Sequence, residues 1–524
     1  MHCKLILRGR LPRCLSLQFR FAGDCLASST RKGVVLGAYD GCSSGEIKLT
    51  PTGLKLDEET GGKLRMVTKD GAGIRKGTAQ VFTNLHPDYY SVAIAGLGPE
   101  GVGVNEPEVL DECKENIRWA AATGARALQE SGVHTVFVEA FTNAEAAAEG
   151  SILSVWKYQE LKSRSEQQPV TKVDLFEDTD RDGWARGQLK AESQNLARKI
   201  EETPGNLMTP LTVAQIAIDV LCPCGVQVEV RDKDWLGSER NFSALLTVAK
   251  GSCEDPVLLE LAYCGGEAEE KPVVFVGKGV TFDSGGLCLG ECEGMSKYKG
   301  DLAGAAVIIA LFKAVASMAL PINLRAFIPL CESMIGGMSV KPGDAVQGLN
   351  GKTVVIEDTH LEGRVIMMDP MTYSANVHPC LITTVGTMTS GIKWSIGSGP
   401  SGVFTNSHPV WREINRAGME SGDRVWRLPL WKYYTRKVTS FTNIDVHNVG
   451  KKVGAATCLG AAFLQEFKPP KVDMLHFDIS GTGMISTGVG APYLKKGLMT
   501  GRPVRTLVQF LYQIACPHSK GDEC

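Results

Sequence analysis

Lys278 and Asp283 stand five residues apart at the end of the apolar run beginning at Val273, and the glycine pair Gly285-Gly286 follows at once. Asp301 comes next, and then the segment Asp358-Thr359-His360-Leu361-Glu362-Gly363-Arg364. A lysine, two aspartates and a glutamate gathered after buried strands can hold two divalent metals side by side, and such a pair activates water for hydrolysis. In the same stretch His360 stands where a two-metal site wants a carboxylate, and no lysine stands on the loop just past Gly286. Singly, each acid has a plainer reading. Asp301 precedes Leu302-Ala303-Gly304-Ala305-Ala306 as a helix N-cap would, and Lys278 would serve as the salt-bridge partner of a neighbouring acid.

Convergence requires elements that end in one place. Lys278, Glu362 and Thr387 each lie just past an apolar strand candidate, and in an open α/β sheet sites form at the carboxyl ends of the strands. The period-2 and continuous apolar runs Val226–Val230, Val273–Val276, Ile322–Ile328, Val354–Ile356, Leu381–Val385 and Met474–Phe477 predict strands, with a helix over Ala303–Ala316 between them. These imply a mostly parallel or mixed sheet covered on both faces. Upstream, strands at Gly33–Gly37, Tyr90–Leu97 and Thr135–Ala140 alternate with helical spacing over Val109–Glu130 and Asn143–Leu161. The fold class expected is α/β: a small N-terminal α/β domain and a larger C-terminal α/β domain built on a central mixed sheet covered by helices. Glu177–Gly187 is charged and glycine-bearing, as a linker is, and a long polar helix over Gln188–Glu202 follows. The expected division is residues 1–32 as a leader, 33–187 as the first domain with its linker, and 188–524 as the second.

At 524 residues, with 43% hydrophobic and 22% charged residues, the chain is long enough for two or three domains with large cores. Its formal charge of −2 gives no electrostatic reason to bind nucleic acid or an anionic membrane. No membrane span is expected, since the apolar runs fall short of the roughly 20 residues that a bilayer needs. The sixteen cysteines are scattered rather than framed, which reads as reduced thiols. Residues 1–23 carry Lys4, Arg8, Arg10, Arg13 and Arg20 interleaved with leucines and no acid before Asp24. That is the pattern of a mitochondrial transit peptide, removed between Arg20 and Arg31, with a cytoplasmic location as the alternative. Gly96-x-Gly98-x-x-Gly101 and Gly397-x-Gly399-x-x-Gly402 each contain a proline and read as turns rather than dinucleotide sites.

From about Glu192 to Gln513 the chain resembles the leucyl (cytosol) aminopeptidase family of dinuclear zinc or manganese exopeptidases, which form hexamers. The matching text includes Gln194-Asn195-Leu196-Ala197-Arg198, Met208-Thr209-Pro210, Val276 through Gly286, Lys341-Pro342-Gly343-Asp344, Asn350-Gly351-Lys352-Thr353, Gly402-Val403-Phe404-Thr405-Asn406, Gly422 through Arg427 and Gly501-Arg502-Pro503. The resemblance implies that Lys278, Asp283, Asp301 and Glu362 are metal ligands. It implies that Arg364 holds a bicarbonate acting as proton shuttle, and that Tyr298, Thr387 and Met388 line the substrate pocket. Peptides or amino-acid amides would be the substrates, and a homohexamer the assembly.

Two departures from the family's pattern stand out. The motif Asn-Thr-Asp-Ala-Glu-Gly-Arg becomes Asp358 through Arg364, so a metal-ligating aspartate is His360, which is neutral and directs its lone pair differently. In Ser-Gly-Gly-x-x-x-Lys the catalytic lysine is Gly290. Losing a preorganised donor at a developing oxyanion costs about 3 kcal/mol. The expectation is a leucyl aminopeptidase-like protein with one metal site kept and the second weakened, with peptidase activity impaired or lost and a structural or assembly role in its place. The alternative is an active manganese or zinc aminopeptidase.

Overall fold

The computed structural model describes residues 31–517 except 42–45, 70–73, 451–453, 485 and 488–489. Residues 1–30 of the expected leader lie outside the described residues. The first domain is a six-stranded sheet of β1 (Lys32–Asp40), β2 (Ile47–Leu49), β3 (Ala79–Thr83), β4 (Ser91–Gly98), β5 (Thr135–Glu139) and β6 (Lys172–Phe176). Its order is β3-β4-β1-β5-β6, with β2 on the end of β1. The pairs β4–β1, β1–β5 and β5–β6 are parallel. Val34, Val35 and Leu36 are all fully buried, which is why β1 reads as an unbroken apolar run rather than an alternating one.

Two helices cover one face. In α1 (Glu112–Glu130) the Asp111 side chain accepts from the Lys114 amide at 3.0 Å, and in α2 (Ala144–Val155) Asn143 accepts from the Ala146 amide at 2.8 Å. The second of these ends six residues short of the expected Leu161. Gln129 Nε2 donates to the last helical carbonyl, Val155 O, at 2.8 Å, and Trp156 continues in an extended conformation. The linker expectation is corrected more strongly. Asp180 caps a single helix α3 (Arg181–Glu202), accepting from the Gly183 amide at 2.9 Å. Most of Glu177–Gly187 is therefore helical and packed, with Trp184 buried and Gly187 so close to Glu145 O that a Cβ would approach within 2.2 Å. The division expected at 187/188 falls inside this helix.

The second domain carries a nine-stranded mixed sheet: β7 (Gln227–Arg231), β8 (Val257–Cys264), β9 (Val273–Gly277), β10 (Gly279–Asp283), β11 (Asn323–Ser333), β12 (Leu381–Gly386), β13 (Ser401–Thr405), β14 (Val425–Arg427) and β15 (Asp473–Asp478). The order is β14-β13-β15-β12-β9-β11-β8-β7, with β10 beside β11. The central strands β15, β12, β9 and β11 run parallel to one another. Along β9 alternate side chains enter opposite cores. Val273 and Phe275 pack with α4 (Ala303–Ser317) and α6 (Val504–Ala515), whereas Val274 and Val276 pack with Met367, Met368 and Phe463. Between those two helices comes α5 (His408–Ser421). Helix α4 continues a tight turn from Met295, and the stretch Met295–Ser317 is long and apolar enough to cross a bilayer, yet 83% of its most apolar window is buried inside the protein. Neither glycine-rich pattern opens a helix; the first ends β4 and the second leads into β13. Among the described residues Cys224, Cys288 and Cys331 are free thiols, and Cys222 and Cys224 lie in a short tight turn that ends at Gly225.

Candidate metal centre

The parallel strands deliver the chemistry-bearing residues. Lys278 follows β9, Asp283 ends β10, Ser333 ends β11, Thr387 follows β12 and Asp478 ends β15. Between Gly277 and Val385 the register of β9 and β12 is continuous, and the Lys278 amide donates to Val385 O at 2.9 Å. The lysine side chain then runs through a slot whose walls are glycine. A Cβ on Gly363 would come within 2.0 Å of Lys278 Cε, and one on Gly386 within 2.8 Å of Lys278 Cβ. Glycine is required in the Glu362-Gly363-Arg364 turn so that the lysine can pass it.

At the end of the slot Lys278 Nζ donates to Asp301 Oδ2 at 2.5 Å and to Thr387 O at 2.7 Å. Thr387 Oγ1 in turn bonds Asp301 Oδ1. Asp301 is not a helix cap: it lies in the turn Met295–Leu302, and its carboxylate is committed to Lys278 and Thr387. Asp283 is buried nearby and accepts the Gly285 amide at 2.7 Å. Burial, and then the charge of Asp301, hold its carboxyl well above the usual range. Glu362 Oε1 accepts from Ser333 Oγ at 2.7 Å while Oε2 is buried without a hydrogen-bond partner. Burial pushes Glu362 to about 7 despite Ser333 and Lys278.

Three buried carboxyls thus face one ammonium, and two of the three are held above the normal carboxylate range. A cluster of this kind favours either protons or a further cation. Among the described residues no three His, Cys, Asp or Glu side chains form a ready-made cage. The donor set that fits a divalent cation is instead mixed, with the acids Asp283, Asp301 and Glu362 and the Lys278 amine in its neutral form. The unpartnered Glu362 Oε2 is the atom most plainly awaiting one.

His360 lies at the rim. Its backbone amide donates to Asp358 Oδ1 at 3.0 Å, while Nδ1 is buried and unpartnered. The ring rests against Gly285, where a Cβ would meet Nδ1 at 2.5 Å, and packs edge to face with Tyr298, centroids 5.1 Å apart. Gly290 is in the same place: a Cβ there would lie 3.6 Å from both His360 Cε1 and Tyr298 Cε2. Neither nearby lysine occupies the gap. Lys299 Nζ donates to Glu202 O at 2.6 Å and to Glu202 Oε1 at 2.8 Å, while Lys297 Nζ folds back to 3.4 Å from the Cβ position of Gly294.

Arg364 sits behind the carboxylates, 2% exposed. Its terminal nitrogens donate to Asn448 O at 2.9 Å and Met388 O at 3.3 Å, and its Nε has no partner. Burial lowers it to about 10. Thr387 and Met388 are buried, so Met388 meets Arg364 through its backbone carbonyl. Several supporting residues escaped sequence reasoning. Ser333 orients Glu362, Thr359 donates to Gly285 O at 2.6 Å, and Asn448 holds both Arg364 and, through Nδ2, Asp358 O at 2.9 Å. His476 lies deeper, stacked on Phe404, with burial and then Arg364 lowering it to about 3. Only Ser333, at the end of an apolar strand, carried a signal that pattern could have found.

With this geometry in place, the comparisons with known proteins are consistent along the whole chain. The model for the cytosol aminopeptidase family, catalytic domain, matches residues 195–508, and that for the family's N-terminal domain matches residues 35–165. The chain is 40% identical to the cytosol aminopeptidase of Bos taurus over 509 residues, 96% of each chain. It is 40% identical to that of Homo sapiens over 503 residues, 95% of each. Among solved structures it is similar to the bottromycin maturation enzyme BotP in complex with Mn, with TM-score 0.79, 27% identity and coverage of 93% of this chain and 100% of that one. A mutant of tomato leucine aminopeptidase shares the fold, with TM-score 0.76, 24% identity and coverage of 93% and 94%.

Proposed function

The chain belongs to the cytosol aminopeptidase family, and from that premise we propose that it keeps the family's peptide-facing metal centre in a weakened form, with turnover impaired or lost and an assembly role in its place. The observation that carries this reading is the cluster of Gly290, Tyr298 and His360. Where the family has a lysine and an aspartate, this chain has no side chain and an imidazole, and Tyr298 packs edge to face against that imidazole beside Gly290. That the two changes meet in one place supports the reading of a weakened site.

A bound divalent cation would supply a water of lowered pKa and polarise the scissile carbonyl. The remaining work falls to the chain. Asp283, Asp301, Glu362 and Lys278 would hold the cation, manganese or zinc, at the site that is kept, and His360 would serve the weaker second one. Thr387 fixes Asp301, and Ser333 fixes Glu362. Arg364, with its unpartnered Nε, would hold a small anion such as bicarbonate, which would supply a proton shuttle. Tyr298, Thr387 and Met388 border the substrate. Without a cation at residue 290 neither neighbouring lysine is placed to replace the lost donor to the developing oxyanion, since Lys299 is bound to Glu202 and Lys297 folds back on Gly294.

An active aminopeptidase releasing N-terminal residues is the second reading. It is favoured by the survival of Asp283, Asp301, Glu362 and Lys278 in a converging, buried arrangement. Purified protein loaded with manganese and assayed on a leucyl-amide substrate separates the two. Turnover at least about a hundredfold below an intact relative supports impairment, and comparable turnover establishes the second reading. We further propose a mitochondrial matrix address carried by residues 1–32, two domains whose boundary falls within the helix Arg181–Glu202 rather than in a linker, and a homohexamer. The hexamer is supported by the exposed aromatics Trp394, Trp431 and Tyr433 on the second domain.

A further inference from the structure

Away from the metal centre, a cavity of about 220 Å³ lies where the two domains meet. Helices α1, α2 and α3 form one side and α5 and α6 the other. Its lining holds five cations, Lys114, Arg118, Arg186, Lys190 and Arg416, against two acids, Glu145 and Glu420. Further acids stand behind the lining. Arg118 is spent on Glu149 at 2.6 Å and Glu115 at 3.1 Å, so it is structural. Lys190 is 3% exposed and is shared between Glu145 and Gln509 Oε1.

The unspent capacity lies elsewhere. Arg186 pairs with Glu145, and Arg416 with Glu420, each through Nε alone, at 3.1 and 2.8 Å. Their terminal amino groups are not engaged by those carboxylates, and such a fork suits two oxygens of one anion. Lys114 Nζ stands 3.7 Å from Glu420 and 3.4 Å from Asp111, beyond a tight pair. Gln513 is the most telling residue. It lines the cavity at 5% exposure, and neither its amide nitrogen nor its amide oxygen has a hydrogen-bond partner. Both atoms of this amide lack a partner within the protein, and a polar occupant of the cavity would satisfy them. The first turn of α2, at Asn143, Glu145 and Ala146, also opens on the cavity and adds its positive helix end.

We propose that this inter-domain cavity binds a small multivalent oxyanion, a phosphate or a short di- or tricarboxylate, gripped by Arg186, Arg416 and Lys114 and hydrogen-bonded by Gln513. The volume suits an ion or a compact metabolite and is below the size of a peptide site. Because both domains line it, occupancy ties them together and raises the stability of the whole chain. The site shares no residue with the metal centre.

The test is thermal unfolding of the full-length chain, stripped of metal with a chelator, titrated with inorganic phosphate and in a parallel arm with citrate, each against chloride at matched ionic strength. A saturable rise in Tm of a few degrees in either arm is expected, and the larger response identifies which oxyanion chemistry is preferred. Arg416→Gln and Gln513→Leu should each abolish the response, while Arg364→Met, which alters the other anion-holding residue, should keep it. Equilibrium dialysis with labelled phosphate or citrate reads the same site without unfolding, with one equivalent expected in the wild type and none in Arg416→Gln. No saturable shift beyond chloride in either arm, a response unchanged in both cavity variants, or one lost in Arg364→Met would overturn the proposal.

Discussion

A side chain added at Gly290 would reach the imidazole of His360, whose Cε1 stands 3.6 Å from the Cβ position. The two departures from the family's pattern, seventy residues apart in the chain, therefore meet in one small volume beside Tyr298. Restoring one without the other leaves the new group facing the wrong neighbour.

Gly290→Lys alone should raise residual leucyl-amide turnover only modestly, because the ammonium meets two rings. Combined with His360→Asp it should recover on the order of 10²-fold, the usual worth of one oxyanion donor. Steady-state kinetics on the single and double variants check this. Additive effects of the two substitutions would contradict the shared volume.

Metal content should be unequal. One equivalent of manganese or zinc should be held tightly by Asp283, Asp301, Glu362 and Lys278, and a second only weakly through His360, which brings no charge. Gly363→Ala should reduce even the first, since its Cβ would come within 2.0 Å of Lys278 Cε and displace the lysine. Elemental analysis after dialysis decides it: two tight equivalents in the wild type, or an unchanged first equivalent in Gly363→Ala, would refute this account.

Stability should depend on pH through Glu139, far from the metal centre. Its carboxylate accepts the Gly37 amide and the Thr50 hydroxyl at 2.9 Å each, yet burial raises it to about 7 from 4.5. The folded state thus holds a proton that the unfolded state has released between those values, and stability falls as pH rises through that window, by about 3 kcal/mol in all. Glu139→Gln keeps an oxygen to accept both bonds and cannot ionise. Its stability relative to wild type should therefore rise between pH 5 and pH 8 in denaturant titrations, and parallel curves would rule out Glu139 as the source.

Assembly should outlast catalysis. Obligate interfaces commonly bury more than about 2,000 Å², whereas the altered ligand and the lost lysine remove only a few polar groups inside the second domain. Light scattering should find a hexamer for the wild type and for the Gly290→Lys, His360→Asp variant alike. A stable monomer at micromolar concentration would remove the assembly reading.

The address is testable apart from the fold. A reporter fused to residues 1–32 should enter mitochondria, driven by an arginine-rich amphipathic segment with no acid before Asp24. Diffuse cytosolic signal would favour the cytoplasmic alternative.

Much of this protein could be read from the chain itself. Apolar runs such as Val273–Val276 and Leu381–Val385 mark strands buried on both faces, because a continuous run without polar alternation has no solvent side. The residues that follow them, Lys278 and Thr387, could be set at a common sheet edge for that reason. Linear pattern failed where a contact distant in sequence decided the outcome. Gln129 ends α2 by taking the Val155 carbonyl, and the burial of Trp184 with the close approach of Gly187 to Glu145 O converts a linker-like composition into helix. Asp301 looked like a cap until Lys278 and Thr387 claimed both its oxygens. The meeting of Gly290, Tyr298 and His360, and the unpaired amide of Gln513 between the domains, depend on side-chain directions across separate elements. Sequence spacing constrains which face a residue occupies, but only packing in three dimensions sets which neighbour stands opposite it.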